Sequence, residues 1–310
     1  MSARLRVVLE YLHPWTNSAG FFVASHQGWF AQEGLDVELT VADPSRGDSL
    51  AYLSRYEADF AVFPSNRLLV RRAAHEPLKA VAAINHRGME TILTTTATGI
   101  TRPRELEGRR LALNPTPRGL AMVRHLVEAD GGDFDRVVVV NSGARELLAD
   151  DVAAGEVDAT FGNYWAWDAL LGRLPLEDRV IWPVDDIGAP PYHSYLLGTQ
   201  ESTLQRNPVL VRSLLAIVER GYLAARDEPG LALEAFERYV PYFPRETLRA
   251  SLELITPTWF HEGRWGQVRA ELVQPYAQWL ADYGVLPSAA GWEDSFTDEF
   301  LPSQVGIAAA

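Results

Sequence analysis

The feature that most constrains this chain is an alternation of short apolar runs and helical patterns that breaks near Asn85 and then starts again. Residues 5–11 form a β-rich run. Helical spacing over 19–33 follows and is closed by Gly34. Leu35-Asp36-Val37-Glu38-Leu39 alternates and predicts a second strand. A turn and helix start at 44–48 lead to a strand at 58–62, a helix at 68–74 and a strand at 80–84. The second round predicts strands at 91–96, 110–113, 137–140, 159–161, 180–182 and 195–197, and helices at 121–129, 145–154 and 164–171. From Pro208 onward strand signals stop, and 208–226, 231–239, 245–253 and 265–283 carry helical spacing.

Such alternation implies a parallel sheet covered by helices, so two rounds imply an α/β fold of two lobes with a helical C-terminal tail. A length of 310 residues is also too great for one ordinary core. The expected division is 1–85 with 190–310 as lobe 1 and 86–189 as lobe 2, hinged near 85–90 and 186–190. Ligands of open α/β sheets sit beyond the carboxyl ends of the strands. Two such lobes are therefore expected to share a ligand cleft between them, lined by strand-end loops.

Composition removes several function classes. Net charge is −13 with the two signs interspersed, which argues against nucleic acid and anionic membrane partners and reads as an aid to solubility. No cysteine is present, so disulfides, thiolate nucleophiles, iron–sulfur clusters and a lipid-anchored N-terminal cysteine are excluded. Lys79 is the sole lysine, so any Schiff-base chemistry would have to use it. The start of the chain runs straight into Val7-Val8-Leu9 without the longer apolar stretch and cleavage site of a secretory signal. No window reaches membrane-spanning length. The chain as written is thus expected to be unexported, working in the cytoplasm unless a signal was removed, and without direct membrane insertion. GxSxG, HExxH and GxGxxG are absent, the histidines show no metal spacing, and Asp150-Asp151 and Asp185-Asp186 read as solvated turns. The expectation is a monomeric binding protein for a small molecule, with no catalytic residues, metal or cofactor.

The candidate ligand-binding residues lie on five strand-end loops. In the first, Trp15 suits stacking on a planar ligand or plugging a core, and Asn17 suits ligand contact or helix capping, as does Ser18. The second holds Ser65 and Asn66, with the same two readings. The third, with Asn114 and Thr116, opens a helix as an anion site would, although Pro115 and Pro117 remove two donors. The fourth carries Tyr164, Trp165, Trp167 and Asp168 within five residues. On a helix Tyr164 and Asp168 would share a face, and rings beside a carboxylate suit a flat base bearing an amino group. The alternative is an aromatic helix face packed inward. The fifth holds Tyr192 and His193 where the chain crosses back, lining the mouth of the cleft or serving structure alone.

Several stretches in order resemble a known family: Gly28-Trp29-Phe30 through Gly34-Leu35-Asp36-Val37-Glu38-Leu39, Ala58-Asp59-Phe60-Ala61-Val62, Glu105-Leu106-Glu107-Gly108-Arg109, Ala154-Gly155-Glu156-Val157-Asp158-Ala159, and Phe296-Thr297-Asp298-Glu299-Phe300-Leu301. Together they resemble the pyrimidine-precursor branch of the type II periplasmic-binding-protein superfamily, which includes binding proteins for formylaminopyrimidine and the thiamine pyrimidine synthases. The resemblance implies a solute-binding protein of an ABC-type importer that takes a thiamine-precursor pyrimidine, an ABC permease as partner, and a periplasmic or cell-surface location. Sulfonate binders share the early stretches, so a sulfonate or other small organic is an alternative ligand. A cytoplasmic enzyme of thiamine-pyrimidine biosynthesis is an alternative function. The synthases use a lysine carrying pyridoxal phosphate, a histidine and a cysteine-rich motif. Here the first two positions hold Phe63 and Arg67, and cysteine is absent.

Overall fold

A computed structural model describes residues 3–143 and 145–302 of the chain. In order, these form β1 (Ala3–Leu9), α1 (Ala19–His26), α2 (Trp29–Gln32), β2 (Leu35–Val41), α3 (Ser49–Ser54), β3 (Phe60–Pro64), α4 (Ser65–Ala73) and β4 (Leu78–Ala83). Next come β5 (Glu90–Thr95), β6 (Arg110–Leu113), α5 (Pro117–Ala129), β7 (Val138–Asn141), α6 (Ala149–Ala153), β8 (Ala159–Tyr164) and β9 (Arg179–Pro183). The last part holds β10 (Tyr195–Gln200), α7 (Glu201–Arg206), α8 (Pro208–Asp227), α9 (Pro229–Tyr239), α10 (Arg245–Ile255), a hairpin of β11 (Phe260–His261) and β12 (Arg264–Trp265), and α11 (Ala270–Asp282).

The chain divides into two compact units. The first comprises described residues 3–86, 193–277 and 288–302, and the second 87–192 and 278–287. Segment 278–287, which holds the end of α11 and the loop beyond it, therefore groups with the second unit, whereas the sequence division left all of 190–310 in the first.

Unit 1 holds a five-stranded sheet in the order β2-β1-β3-β10-β4. β1 is parallel to β2 and β3, while β10 runs antiparallel to both β3 and β4. Val7, Val8 and Leu9, Phe60 to Phe63, and Ala80 to Ala83 are buried in unbroken runs, as strands covered on both faces must be. Unit 2 repeats the plan in the order β7-β6-β8-β5-β9, with β5 antiparallel to β8 and β9. Each sheet is thus mixed rather than parallel throughout. The strand that enters from the other unit, β10 or β5, is the reversed one.

Local chemistry explains where elements start and stop. Asp48 caps α3 by accepting from the Ala51 amide at 2.9 Å, and Thr116 caps α5 by accepting from Gly119 at 3.1 Å. The predicted helix over 19–33 is two helices, because Gly28 takes φ 71° between them. The helix predicted over 145–154 shrinks to α6: the Asp151 carboxylate accepts from the Leu148 amide at 2.7 Å and sets the start there. Trp265, predicted within a helix, lies instead on β12. Glu262 and Gly263, both at positive φ, make the tight turn that pairs β11 with β12, so strand structure does persist beyond Pro208. Finally, 164–171 is not a helix. β8 runs on to Tyr164, a turn follows over 165–167, and a short 3-10 segment holds Asp168–Leu170.

Candidate functional site

β1, β3 and β4 point the same way, so the residues that follow them share one edge of the first sheet: Glu10 after β1, Ser65 and Asn66 after β3, and Asn85 and His86 after β4. β10 runs oppositely, which brings its leading residues His193 and Ser194 to the same edge. Glu10 is the anchor. Its Oε1 accepts from Trp15 Nε1 at 3.1 Å and from Asn17 Nδ2 at 3.2 Å. Its Oε2 is shielded from solvent and has no hydrogen-bond partner among the described residues. Burial raises the Glu10 pKa, and the bonds from its own backbone, Asn17, Trp15 and Ser18 only partly oppose that. A half-satisfied buried carboxyl is costly, and native folds keep such groups where something else must meet them.

The side chains around Glu10 are themselves fixed. Asn17 Nδ2 also donates to Asn85 Oδ1 at 3.1 Å, and Asn17 Oδ1 accepts from Asn85 Nδ2 at 2.8 Å and from Trp259 Nε1 at 3.1 Å. Asn85 further donates to Thr258 Oγ1 at 2.8 Å, and Tyr222 donates its hydroxyl proton to the Asn17 carbonyl at 2.8 Å. The side-chain hydrogen bonds of Asn17 are thus all made within the fold, where it positions Glu10. Ser18 starts α1 without a side-chain cap, its hydroxyl being drawn to Glu10. Trp15 is fully buried, with its ring 5.9 Å from Tyr11, so in this conformation it is a wall and a donor rather than an open stacking plate.

At the same edge, buried Ser65 donates to the His193 carbonyl at 2.5 Å. Asn66 is half-buried on the first turn of α4, with no side-chain hydrogen bond among the described residues. His193 is deeply buried, and both ring nitrogens are engaged: Nδ1 with the Asn85 carbonyl and Nε2 with the Arg269 amide, each at 2.9 Å. Burial pushes its pKa down to about 4. That pattern makes it a neutral histidine held in place by backbone groups. Beside it His86 lies 5.0 Å from His193 and 5.8 Å from His261, ring centre to ring centre.

The candidates of unit 2 form a separate set. Asn114 and Thr116 are exposed, and Thr116 is occupied as the cap of α5. The only nearby guanidinium described at that helix start, Arg118, is turned onto Glu90 and lies 5.3 Å from the Tyr192 ring centre. Tyr192 is buried and donates to Glu90 Oε2 at 2.8 Å. Trp165 is buried, with Nε1 donating to the Gly88 carbonyl at 2.9 Å and the Arg87 guanidinium 4.8 Å from its ring. Trp167 is fully buried, and Tyr164 half-buried. Asp168 is buried and accepts from the Tyr164 amide at 2.8 Å, closing the turn that replaces the predicted helix. The shared helical face of Tyr164 and Asp168 therefore does not exist. Asp168 faces a second acid: Glu146 is pushed up to about 8, by loss of hydration first and by the Asp168 charge second, although part of the residue remains in solvent.

Glu10 and His86 escaped the sequence reading, which weighted aromatic clusters. Their signal was position alone: a charged or ring-nitrogen residue one to three places beyond an apolar β-run. Chemically the edge offers a carboxyl oxygen, an amide and an imidazole, a set suited to hydrogen-bonding a polar ring. It does not suit pyridoxal phosphate. Lys79 sits at the opposite end of β4, paired with Thr199, while Phe63 is fully buried and exposed Arg67 faces Asp48.

Two mixed sheets, each completed by a reversed strand from the crossover, define the class: this is the periplasmic-binding-protein fold of type II. The periplasmic aliphatic sulphonate binding protein SsuA from Escherichia coli superimposes with a TM-score of 0.73 at 15% identity, over 100% of this chain and 96% of that one. The desulfurization enzyme DSZB gives 0.62 at 14%, over 96% and 97%, so the fold carries an enzyme as well as binding proteins. The chain belongs to the NMT1/THI5-like family, whose model matches residues 15–232. It is 22% identical over 284 residues to the formylaminopyrimidine-binding protein of Halalkalibacterium halodurans, covering 89% of this chain and 84% of that protein. Among the described residues no helix is long and apolar enough to cross a membrane.

Proposed function

We propose that this chain is the solute-binding protein of an ABC-type importer and that it holds a heteroaromatic amine of the thiamine-pyrimidine kind at the carboxyl edge of its first sheet. The observation that carries this is the buried, unpaired Oε2 of Glu10. An exocyclic amino group or ring N–H supplies the missing donor. A sulfonate does not: its oxygens only accept, so it brings no donor to Oε2, and no neighbouring cation is there to take its charge. The formylaminopyrimidine-binding relative supports the same ligand chemistry, and half-buried Asn66 is a further contact on this edge. An ABC permease as partner and a place outside the cytoplasmic membrane follow from the same reading.

Calorimetric titration tests it, with 4-amino-5-hydroxymethyl-2-methylpyrimidine and its N-formylated relatives on one side and MOPS on the other. The pyrimidines should bind and MOPS should not. Glu10→Gln should weaken pyrimidine binding by about tenfold or more, because an amide NH2 in the place of Oε2 would meet the ligand's donor with another donor. Tighter binding of MOPS than of any pyrimidine, with Glu10→Gln neutral, would overturn the proposal.

A further inference from the structure

We infer that His86 is a second ligand-reading group of this edge, and that the ligand is an uncharged ring whose polar edge places a hydrogen-bond donor beside an acceptor. This rests on the binding reading above and narrows it. His86 follows β4 by three residues and adjoins Asn85, whose side chain is bonded into the network that holds Glu10. Its backbone is pinned, the amide donating to the Thr258 carbonyl at 2.8 Å. Its ring is not: Nδ1 and Nε2 are both shielded from solvent, and neither has a partner among the described residues. A neutral imidazole always carries one donor and one acceptor, so both are left unmet. His193, 5.0 Å away and edge-on, shows what a structural histidine does in the same surroundings, with both nitrogens bonded to backbone. The contrast between neighbours assigns His86 to something the fold itself does not contain.

The charge of that partner follows from the groups around the ring. His193, His261 and the Arg269 guanidinium face His86, and only Glu271 opposes them. Burial first, with these neighbours adding to it, holds the ring neutral, with its pKa down at about 3. Arg269 already pairs with Glu271 at 2.8 Å and the imidazole is neutral, so an uncharged partner suits the ring. A neutral aminopyrimidine carries an amino N–H beside a ring nitrogen, the donor and the acceptor that the imidazole lacks.

Two substitutions in the full chain test this, His86→Phe and His86→Gln, each titrated with 4-amino-5-hydroxymethyl-2-methylpyrimidine and melted without ligand. His86→Phe should bind about tenfold more weakly or worse, whereas His86→Gln, which keeps a donor and an acceptor, should retain most of the affinity. The ligand-free Tm of His86→Phe should hold or rise, because an unmet buried polar ring is replaced by an apolar one of similar shape. Parent-like binding by His86→Phe, or a ligand-free Tm lower by roughly 5 °C or more, would overturn the assignment. If the parent binds no pyrimidine at all, the proposed function falls, and the ligand-free Tm alone decides for or against His86.

Discussion

A single amide organises the edge where Glu10 stands. Asn17 fills all four of its side-chain hydrogen-bond positions with Glu10, Asn85 twice and Trp259. Asn17→Ala would leave Trp259 Nε1 and one group of Asn85 unpaired in a buried setting, at about 3 kcal/mol in all. Urea unfolding should show that loss, and pyrimidine binding should weaken as well because Glu10 loses a support. Full stability in Asn17→Ala would mean that the network is slack. Residue chemistry of this kind was poorly legible in the sequence. Asn17 was visible as a polar loop residue, but its partners Asn85, Tyr222 and Trp259 come from distant stretches. The bonds of Trp165 to the Gly88 carbonyl and of Asp168 to the Tyr164 amide were not legible either, because no side-chain pattern reveals a backbone partner.

Among the elements, the contact between α1 and α8 is the tightest that small residues permit. A Cβ on Gly221 would run into the Gly20 carbonyl, and one on Gly20 would run into the Tyr222 ring. The closeness seats Tyr222, which stacks on Trp265 at 5.2 Å and bonds the Asn17 carbonyl. Gly221→Ala should therefore cost about 2–3 kcal/mol by overpacking, read as a lower Tm, and should weaken ligand binding with it. Gly230→Ala in α9, where nothing stands within 4 Å of the new carbon, should be neutral or slightly stabilising. At this scale the sequence was far more readable. Apolar runs marked nearly every strand because central strands buried on both faces have no choice of residue type. What escaped were boundaries set by single groups, such as Gly28 breaking a helix and Asp151 starting one late. The reversal of β5 and β10 escaped too, since strand direction leaves no mark on composition.

For the molecule as a whole, buried titratable groups set the pH range of stability. His193 is neutral in the fold with its pKa at about 4, against an ordinary 6.5. The unfolded chain thus binds a proton that the fold refuses. This contribution is complete above pH 6.5 and is lost as pH falls from 6.5 toward 4, by about 3 kcal/mol. Comparing urea midpoints of the parent and His193→Gln isolates the histidine: the parent should lose more stability between pH 7 and 4, and parallel curves would refute the assignment. The two-unit organisation itself was readable from the restart of the β-α alternation, whereas the allegiance of 278–287 to the second unit was not, because a helix gives no local sign of which body it joins. One consequence lies in the strand order. β10 enters between β3 and β4, which it alone joins, yet it is made only after all of β5 to β9. On the ribosome, the later-encoded sheet can close while the earlier one still waits with a gap between β3 and β4, and a chain stalled before Tyr195 would expose two unmatched strand borders to any aggregating neighbour.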